Sequence, residues 1–445
     1  MRRASVVVLV VFVLCSVAGA GMRVGGFLQE EGRVGFVENG DGELEIQMFE
    51  SWLELRAMAR GSGGISRLGV RMDAKCDAAG LCEPDLNTML REAYVELVFR
   101  HLVFSLGRQM FNWGMADEFN PSDLLNPEDL SLFMTRMKTE RKLGVEAARA
   151  ELYFGNFRWE VVWIPLFRPP LLPPDGSVWQ PADLAELNRM TDEYPELVAV
   201  EDEQLPEPVL DNSSVASRVR ATVGPVDLGA FGFYGWDYIP IYEFRYDFSG
   251  DAPVITVTPA YQRLWAAGAE FAAAMGSYTV RAEGAYFGDR KYNVDSGLGS
   301  LDVSNPFMAF VEILNISREP SWVKSPSYSV AFGIDRTFGE DFYVNVQYYR
   351  QQILDYDDDI VFPQVVDGIL ARVHDMFLDQ TLTVGVNAIV GFYEGDGMIE
   401  PFVEYDITDE IEVAAGCFIL YGGEETTFGQ FDDNDSVYIR MKYSF

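Results

Sequence analysis

Side chains that commonly carry out catalysis are scarce in this chain, which has only two histidines in 445 residues. The strand pattern described below predicts that His101 lies in a turn and that His374 faces inward, so neither has the serine neighbour of a nucleophile–base pair. The HExxH and GxSxG motifs, the phosphate-binding loop and zinc-type spacings are all missing from the sequence. The sequence therefore predicts a protein that is not an enzyme and that has no metal site or cofactor.

Charged side chains instead recur at every second position of apolar segments. Arg281 and Glu283, for example, alternate with Val280 and Ala282. Successive side chains of a strand point to opposite faces, so each segment predicts a strand with one apolar and one polar face. The predicted polar face includes Arg158, Arg218, Arg220, Arg281, Glu283, Arg372, Glu400, Glu404, Arg440 and Lys442, together with Glu92, Glu96, Glu160 and Glu412.

These segments are about 9 to 12 residues long, the length that a tilted strand needs to cross a bilayer. Short turns, as at Gly155-Asn156 and Gly276-Ser277, alternate with long links, as bacterial barrels require. We predict an all-β, transmembrane, antiparallel up-and-down β-barrel of about 16–18 strands, whose polar faces line an aqueous interior. The strands should start near residues 27, 43, 64, 90, 102, 141, 157, 214, 227, 263, 278, 326, 341, 364, 381, 398, 410 and 435.

Two segments leave the strand count open. Residues 43–57 change phase near Glu50, which a bulge would explain. Residues 238–262 and 303–316 could each contribute to another pair of strands, and sixteen strands fit almost as well as eighteen.

Both chain ends carry export signals. Arg2 and Arg3, a short apolar run and Ala18-Gly19-Ala20 predict a cleaved signal peptide at residues 1–20, so that residues 21–445 form a single barrel domain. The last strand alternates apolar and polar residues and ends on Phe445. This pattern resembles the C-terminal signature of Gram-negative outer-membrane proteins. The resemblance implies that the barrel-assembly machinery recognises Phe445, and that the protein contacts outer-membrane lipid.

The net charge limits the class of binding partner, and the cysteines indicate where a disulfide could form. The formal net charge of −35 argues against nucleic acid, whose phosphates require a basic surface. Cys76 and Cys82 lie in a polar segment and should form a disulfide in an oxidising compartment. Cys417 lies on the apolar face of a predicted strand and is predicted to act as a small apolar side chain.

The most distinctive segment is residues 107–130. Asn120 and Asn126 each precede a proline, with an acid three residues after each asparagine, which predicts two helix starts in short tandem turns. The run GRQ, then W-G, then N-P-x-D resembles porin-like outer-membrane families, including the alginate-export barrels. In these barrels an early external loop often folds inward and narrows the pore. The resemblance implies constriction candidates at Arg108, Gln109, Asp117, Glu118 and Asp123.

Alternatives remain at this loop and at the polar faces. The loop at 112–140 could instead cap and stiffen the wall, and strict alternation would aim Arg108 at lipid unless Gly107 forms a bulge. The lumen charges could form facing basic and acidic walls, or could pair across strands and keep the interior hydrated. Their balance does not match the cationic conduit that an alginate exporter needs. The loop at 168–213, with a helix from about Pro181 to Glu193, could be a mobile surface loop, or a lid or plug.

The sequence thus predicts a porin or substrate-selective channel for passive diffusion of small hydrophilic solutes, and it leaves a homo-oligomer open as the assembly. The alternative is a surface-exposed, adhesin-like barrel that acts through its acidic external loops. An apolar-solute transporter fits less well, because the predicted lumen is charged.

Overall fold

A computed structural model describes residues 22–38, 44–60, 66–77, 89–249, 254–295 and 320–445. In chain order the strands are β1 (Met22–Glu38), β2 (Leu44–Arg60), β3 (Ser66–Asp77), β4 (Leu90–Val98), β5 (Leu102–Gln109), β6 (Val145–Phe154), β7 (Phe157–Ile164), β8 (Val198–Val200), β9 (Ser214–Val223), β10 (Val226–Trp236), β11 (Ile241–Asp247), β12 (Val254–Ala260), β13 (Arg263–Met275), β14 (Tyr278–Asn293), β15 (Trp322–Phe338), β16 (Phe342–Ile353), β17 (Val365–Phe377), β18 (Leu382–Gly391), β19 (Gly397–Asp406), β20 (Ile411–Tyr421) and β21 (Ser436–Ser444).

Eighteen of these strands form one antiparallel sheet that closes into a barrel. Each barrel strand pairs with the next in sequence, and β1 also pairs with β21, so that the sheet has no free edge. The predicted fold class is confirmed, and all eighteen predicted strands are present. The strands β8, β11 and β12 form a separate three-stranded sheet.

Alternation along each strand determines the two faces of the wall. On β21, Val437, Ile439 and Met441 are exposed, and Ile439 keeps 67% of its surface open, whereas Tyr438 between them is buried. Apolar side chains thus cover the outside of the barrel. Polar and small side chains line much of the inside, together with a buried apolar cluster that includes Phe231 and Phe233. Cys417 lies in β20 and has a free thiol.

The connections differ in length at the two ends of the barrel. At the turn end, Gly155, Gly224, Gly276 and Gly339 each occupy the first position of a tight turn with φ between 59° and 67°. Glycine reaches this conformation without the steric cost that a side chain would add, and type II′ hairpin turns require it. Longer connections lie at the other end, which we call the loop end.

Several predicted boundaries were wrong in position. The phase change in β2 occurs at Gln47 and not at Glu50, because Arg33 pairs with Met48 and Val34 with Ile46. β6 begins at Val145 and not near 141, because residues 138–141 form a short helix, α1 (Lys138–Arg141). Residues 238–262 do hold two strands, but β11 and β12 pair with β8 outside the barrel. The 303–316 alternative lies outside the described residues.

The loop end carries ordered structure of its own. The predicted helix is confirmed as α2 (Ala182–Glu193), whose Met190 packs against Val198, Ile255 and Val257 of the three-stranded sheet. Three short 3-10 helices occupy Leu130–Leu132, Leu210–Asn212 and Gly429–Asn434. No helix in the described part of the chain is long and apolar enough to span a membrane.

A candidate pore constriction

The loop between β5 and β6, residues 110–144, folds around Asn126. The Asn126 Oδ1 accepts a hydrogen bond from the Phe111 amide at 2.7 Å, and its Nδ2 donates to the carbonyls of Gln109 and Leu143. This buried side chain therefore ties the two stems of the loop together. The predicted helix starts were wrong, because Asn126 bridges the stems and Asn120 opens a single turn closed by the Asp123 amide. We call residues 110–144 the inward loop.

The inward loop is attached to β14 through Glu283. The Glu283 carboxylate accepts a hydrogen bond from the Ala116 amide at 3.1 Å and another from the Ser122 hydroxyl. Glu283 is buried, and a buried carboxylate needs such donors to offset its lost hydration. The predicted lumen residue Glu283 is therefore an anchor for the loop.

A second attachment joins the loop to β16. Gln347 accepts a hydrogen bond from the Asp117 amide at 2.9 Å and donates to the Phe119 carbonyl at 2.7 Å. Asn345 donates to Asp117 Oδ2 at 2.6 Å, and the Phe119 ring lies 4.9 Å from that of Tyr349. These contacts provide hydrogen-bond partners for both backbone and side-chain groups at the tip of the loop.

These anchors place the loop across the interior of the barrel. The loop starts and ends on the fifth and sixth strands, whereas β14 and β16 are the eleventh and thirteenth of eighteen. Trp113, near the start of the loop, packs at 6.0 Å from Phe231 of β10. The loop thus reaches from one wall of the barrel to the far wall.

A third attachment, through Arg136, reaches the first two strands. Arg136 forms ion pairs with Glu31 at 2.6 Å and Glu50 at 2.8 Å, and all three side chains are buried. Burial alone would lower the pKa of Arg136, but the two carboxylates outweigh it and raise the pKa above its usual range. The guanidinium therefore stays charged and holds the second half of the loop against β1 and β2.

Lys142 holds the loop to itself. Its ammonium pairs with Asp123 and donates to the Phe111 carbonyl at 2.8 Å and to Asn112 Oδ1 at 2.7 Å. Burial lowers the pKa of Lys142, and the Asp123 carboxylate opposes that shift. Asp123 is therefore a structural counter-ion, and it is not open to a solute.

The five constriction candidates take different positions. Asp117 lies at the tip, 45% exposed and 3.7 Å from Arg281 of the wall. Glu118 accepts a hydrogen bond from the Lys138 amide, and Gln109 is buried, with its Nε2 donating to the Ala147 carbonyl at 2.9 Å. Of the five candidates, Asp117 is thus the one that lies at the loop tip and also comes close to a charged side chain of the opposite wall.

Arg108 is not part of the constriction. It shares a face with exposed Leu106, while Ser105 and Gln109 on the other face are buried. The β4–β5 register runs without a shift through Gly107, so no bulge turns Arg108 inward. Arg108 instead pairs with Glu146 on the outer wall and donates to the Leu90 carbonyl at 3.1 Å.

The other predicted lumen residues are largely paired across strands. Arg158 contacts Glu151 at 2.7 Å, Arg218 contacts Glu270 at 2.6 Å, and Arg281 pairs with Asp335. Arg440 contacts Glu404 at 2.9 Å and Glu412 at 3.4 Å, and Glu400 accepts hydrogen bonds from Asn387 and Tyr438. This arrangement favours the cross-strand alternative over two facing walls of opposite charge.

Three of the predicted lumen cations are less completely neutralised by nearby carboxylates. Arg220 is 33% exposed and its nearest paired carboxylate, that of Glu270, is 3.9 Å away. Arg372 lies over the Phe402 ring at 5.5 Å, and Lys442 lies over the Phe27 ring at 4.8 Å. Of the predicted lumen cations, these three have the least compensated charge toward the interior.

Sequence reasoning missed most of the anchors. Asn345, Gln347 and Arg136 are separated from their partners by about 100 to 230 residues, so no local pattern connects them. The repeated Asn-Pro element correctly indicated an ordered loop, but its two asparagines form other hydrogen bonds than the predicted helix caps. Of the predicted disulfide, Cys82 lies outside the described residues, as does the side chain of Cys76.

No family model matches the chain, and no curated protein matches it. Among solved structures, it aligns with OccK9 (OpdG) of Pseudomonas aeruginosa at 9% identity and a TM-score of 0.49, over 96% of this chain and 98% of that one. It also aligns with OmpF of Salmonella typhi in complex with daunomycin (9%, 0.44, 96% and 98%), and with an anion-selective porin from Comamonas acidovorans (9%, 0.43, 96% and 100%).

A closed barrel whose outer face is apolar leaves no free strand edge and suits a lipid environment. The chain is an outer-membrane β-barrel. In such barrels the short turns face the periplasm, so the loop end is external. The inward loop is then the third external connection, and the loop at residues 165–213 lies above it, where Trp179 packs with Met134. No group of three or more potential metal ligands occurs among the described residues.

Proposed function

We propose that this barrel is a channel for passive diffusion of small hydrophilic solutes, with the inward loop as its constriction. The observation that carries the proposal is the attachment of the loop tip to β14 and β16 through Glu283, Asn345 and Gln347. A loop fixed across a barrel reduces the path to a defined size while leaving a polar wall beside it.

The composition of the wall supports a hydrated path. Arginine–glutamate pairs on neighbouring strands keep their side chains inside, where only water and polar solutes compensate the remaining charge. Asp117 on the loop and Arg281 on the wall carry opposite charges and lie 3.7 Å apart beside these anchors. Such groups orient polar solutes and disfavour apolar ones.

The test is conductance of the refolded protein in a planar bilayer, combined with a blocking experiment at the loop tip. The Asp117→Cys variant, in a Cys417→Ser background, is treated with a bulky thiol reagent. We expect discrete conductance steps that fall sharply on labelling. Glu193→Cys on α2 is the control, because its side chain is half exposed on the external helix and its labelling should leave the current unchanged.

Absence of conductance from a folded, inserted barrel would overturn the proposal. The acidic external loops and the three-stranded sheet would then become the acting surface, as in the adhesin-like alternative. Equal block at both labelled positions would also overturn the assigned constriction, because it would show that the loop at 165–213 limits the current.

A further inference from the structure

Two lysines face each other on the outer wall of the barrel. Lys291 of β14 is paired in register with Lys324 of β15. The adjacent Ser325 is buried on the opposite face, whereas Lys324 is exposed, so both lysines belong to the outward row. Like charges directly opposite each other on a sheet are destabilising, and the chain as a whole is strongly acidic.

The protein neutralises this pair only in part. The Glu243 carboxylate lies 4.0 Å from Lys291 Nζ, and no carboxylate of a described residue comes that close to Lys324. Lys291 Nζ also lies 3.7 Å from the ring centre of Trp322, at the start of the next strand. A cation held over an indole ring keeps its position and can still accept a second, anionic partner.

The height of the pair on the wall indicates which anion could reach it. Lys291 is thirteen residues along β14 from Tyr278, which stands beside the periplasmic turn. At a rise of about 3.3 Å per residue and a tilt of about 40°, this corresponds to roughly 33 Å. The apolar band of such barrels is about 25 Å tall, so the lysines stand at the level of the external head groups.

We propose that Lys291 and Lys324 bind a phosphate group of lipopolysaccharide in the external leaflet. The lipid A anchor of lipopolysaccharide carries phosphates at the head-group level, where two ammonium groups can donate to one phosphate. Lysine stems can lie along an apolar wall while the ammonium groups reach the head groups, and Trp322 suits the interface, where an amphipathic ring contacts both acyl chains and water. This surface is separate from the channel, so the inference does not depend on the proposed function.

Lipid A binding to the detergent-solubilised, refolded full-length barrel tests the proposal. The probes are bisphosphorylated lipid A, lipid A without its phosphates, phosphatidylglycerol and inorganic phosphate, each titrated while the heat-unfolding midpoint is followed. We expect bisphosphorylated lipid A to stabilise the wild type. The double variant K291Q/K324Q should bind it at least about tenfold more weakly, since one charge-assisted hydrogen bond is worth roughly that factor.

The matched control is Arg336→Gln. Arg336 is also an outward cation stacked on aromatic rings, those of Tyr278 and Phe338, but it lies at the periplasmic rim. This variant should retain the full response to lipid A. Without lipid, K291Q/K324Q should unfold no earlier than the wild type, because it removes a repulsion, which separates lost binding from a folding defect.

Three results would overturn the proposal. Equal stabilisation of the wild type and the double variant would show that the lysines do not bind the lipid. Equal effects of lipid A with and without phosphates would assign the binding to the acyl chains. An equal shift with inorganic phosphate or phosphatidylglycerol would show a general anion site with no preference for lipid A.

Discussion

Ser122 in the inward loop donates its hydroxyl hydrogen to Glu283, which lies 161 residues later in the chain on β14. The same carboxylate accepts the Ala116 amide, so one side chain holds two points of the loop tip. This attachment holds an external connection inside the barrel. Glu283 is therefore the most direct residue at which to test the proposed constriction.

Glu283→Ala should release the loop tip from β14 and enlarge the pore. The Ala116 amide and the Ser122 hydroxyl would lose their buried acceptor, which costs about 1–3 kcal/mol each when nothing replaces it. We expect a larger, noisier single-channel conductance and faster entry of larger neutral sugars into liposomes.

Glu404→Ala is the control, because it removes the same charge from a lumen residue whose pairing partner is Arg440 and not the loop. It should alter ion preference with little change in size limit. If both variants gave the same enlarged pore, loss of lumen charge would explain the effect and the anchor would not.

Arg136→Met should loosen the other side of the loop and lower stability. The substitution leaves Glu31 and Glu50 buried with one fewer cation, and removing one partner of a buried ion pair costs about 3–5 kcal/mol. Unfolding in urea, followed by intrinsic fluorescence in lipid vesicles, measures this cost. Arg189→Met on α2, whose partners are exposed, should change stability much less. Equal losses in both variants would contradict a role for burial.

The barrel was predictable from the sequence because lipid and water select opposite side chains at alternate positions. That local rule located every barrel strand and the Gly155 and Gly276 turns. The same rule correctly predicted that Arg108 faces outward, whereas the family resemblance implied that Arg108 belongs to the constriction. The bonds that Glu283 and Gln347 make to the inward loop, and those that Arg136 of the loop makes to Glu31 and Glu50, could not be predicted, because they join distant segments and depend on how the loop folds.

Arg220→Gln should shift the permeability ratio toward cations. Arg220 is one-third exposed and 3.9 Å from Glu270, so its charge is available to ions in the lumen. Arg218, two residues away, is 3% exposed and 2.6 Å from the same carboxylate. Reversal potentials in a salt gradient should therefore move in the Arg220 variant. Arg218→Gln should mainly reduce stability, since it leaves Glu270 buried without its close partner. An unchanged reversal potential for Arg220→Gln would show that the path lies elsewhere.

Asp435→Asn should stabilise the protein near neutral pH and not at low pH. Burial raises the pKa of Asp435, which precedes β21 in the last external loop, although the Leu420 amide donates to it at 2.7 Å. A folded-state pKa above the unfolded value means that ionisation weakens folding, and that the wild type gains stability as the pH falls through it.

The asparagine variant lacks this ionisation cost. Its advantage in heat-unfolding midpoint should be present at pH 7.5 and absent at about pH 3.5, below the usual aspartate pKa. Asp433→Asn, at an exposed position of the same loop, should show no such pH-dependent gain. A gain for Asp435→Asn that persists at low pH would assign it to hydrogen bonding and not to charge.

Glu30→Leu and Glu31→Leu should have effects of opposite sign, although the residues are adjacent. Glu30 shares the outer face with exposed Leu28, is paired in register with Met441 near the middle of β21, and accepts the Ser51 hydroxyl at 2.6 Å. A carboxylate on the lipid face is unfavourable, though less so than a lysine or arginine, so Glu30→Leu should stabilise the barrel by about 1–2 kcal/mol.

Glu31 is buried on the inner face with Arg33 and Arg136, and its loss should destabilise the barrel by about 3–5 kcal/mol. Reversible unfolding in lipid vesicles measures both changes. Destabilisation by Glu30→Leu would show that this part of the outer wall is covered by protein, because only a polar partner would then be lost.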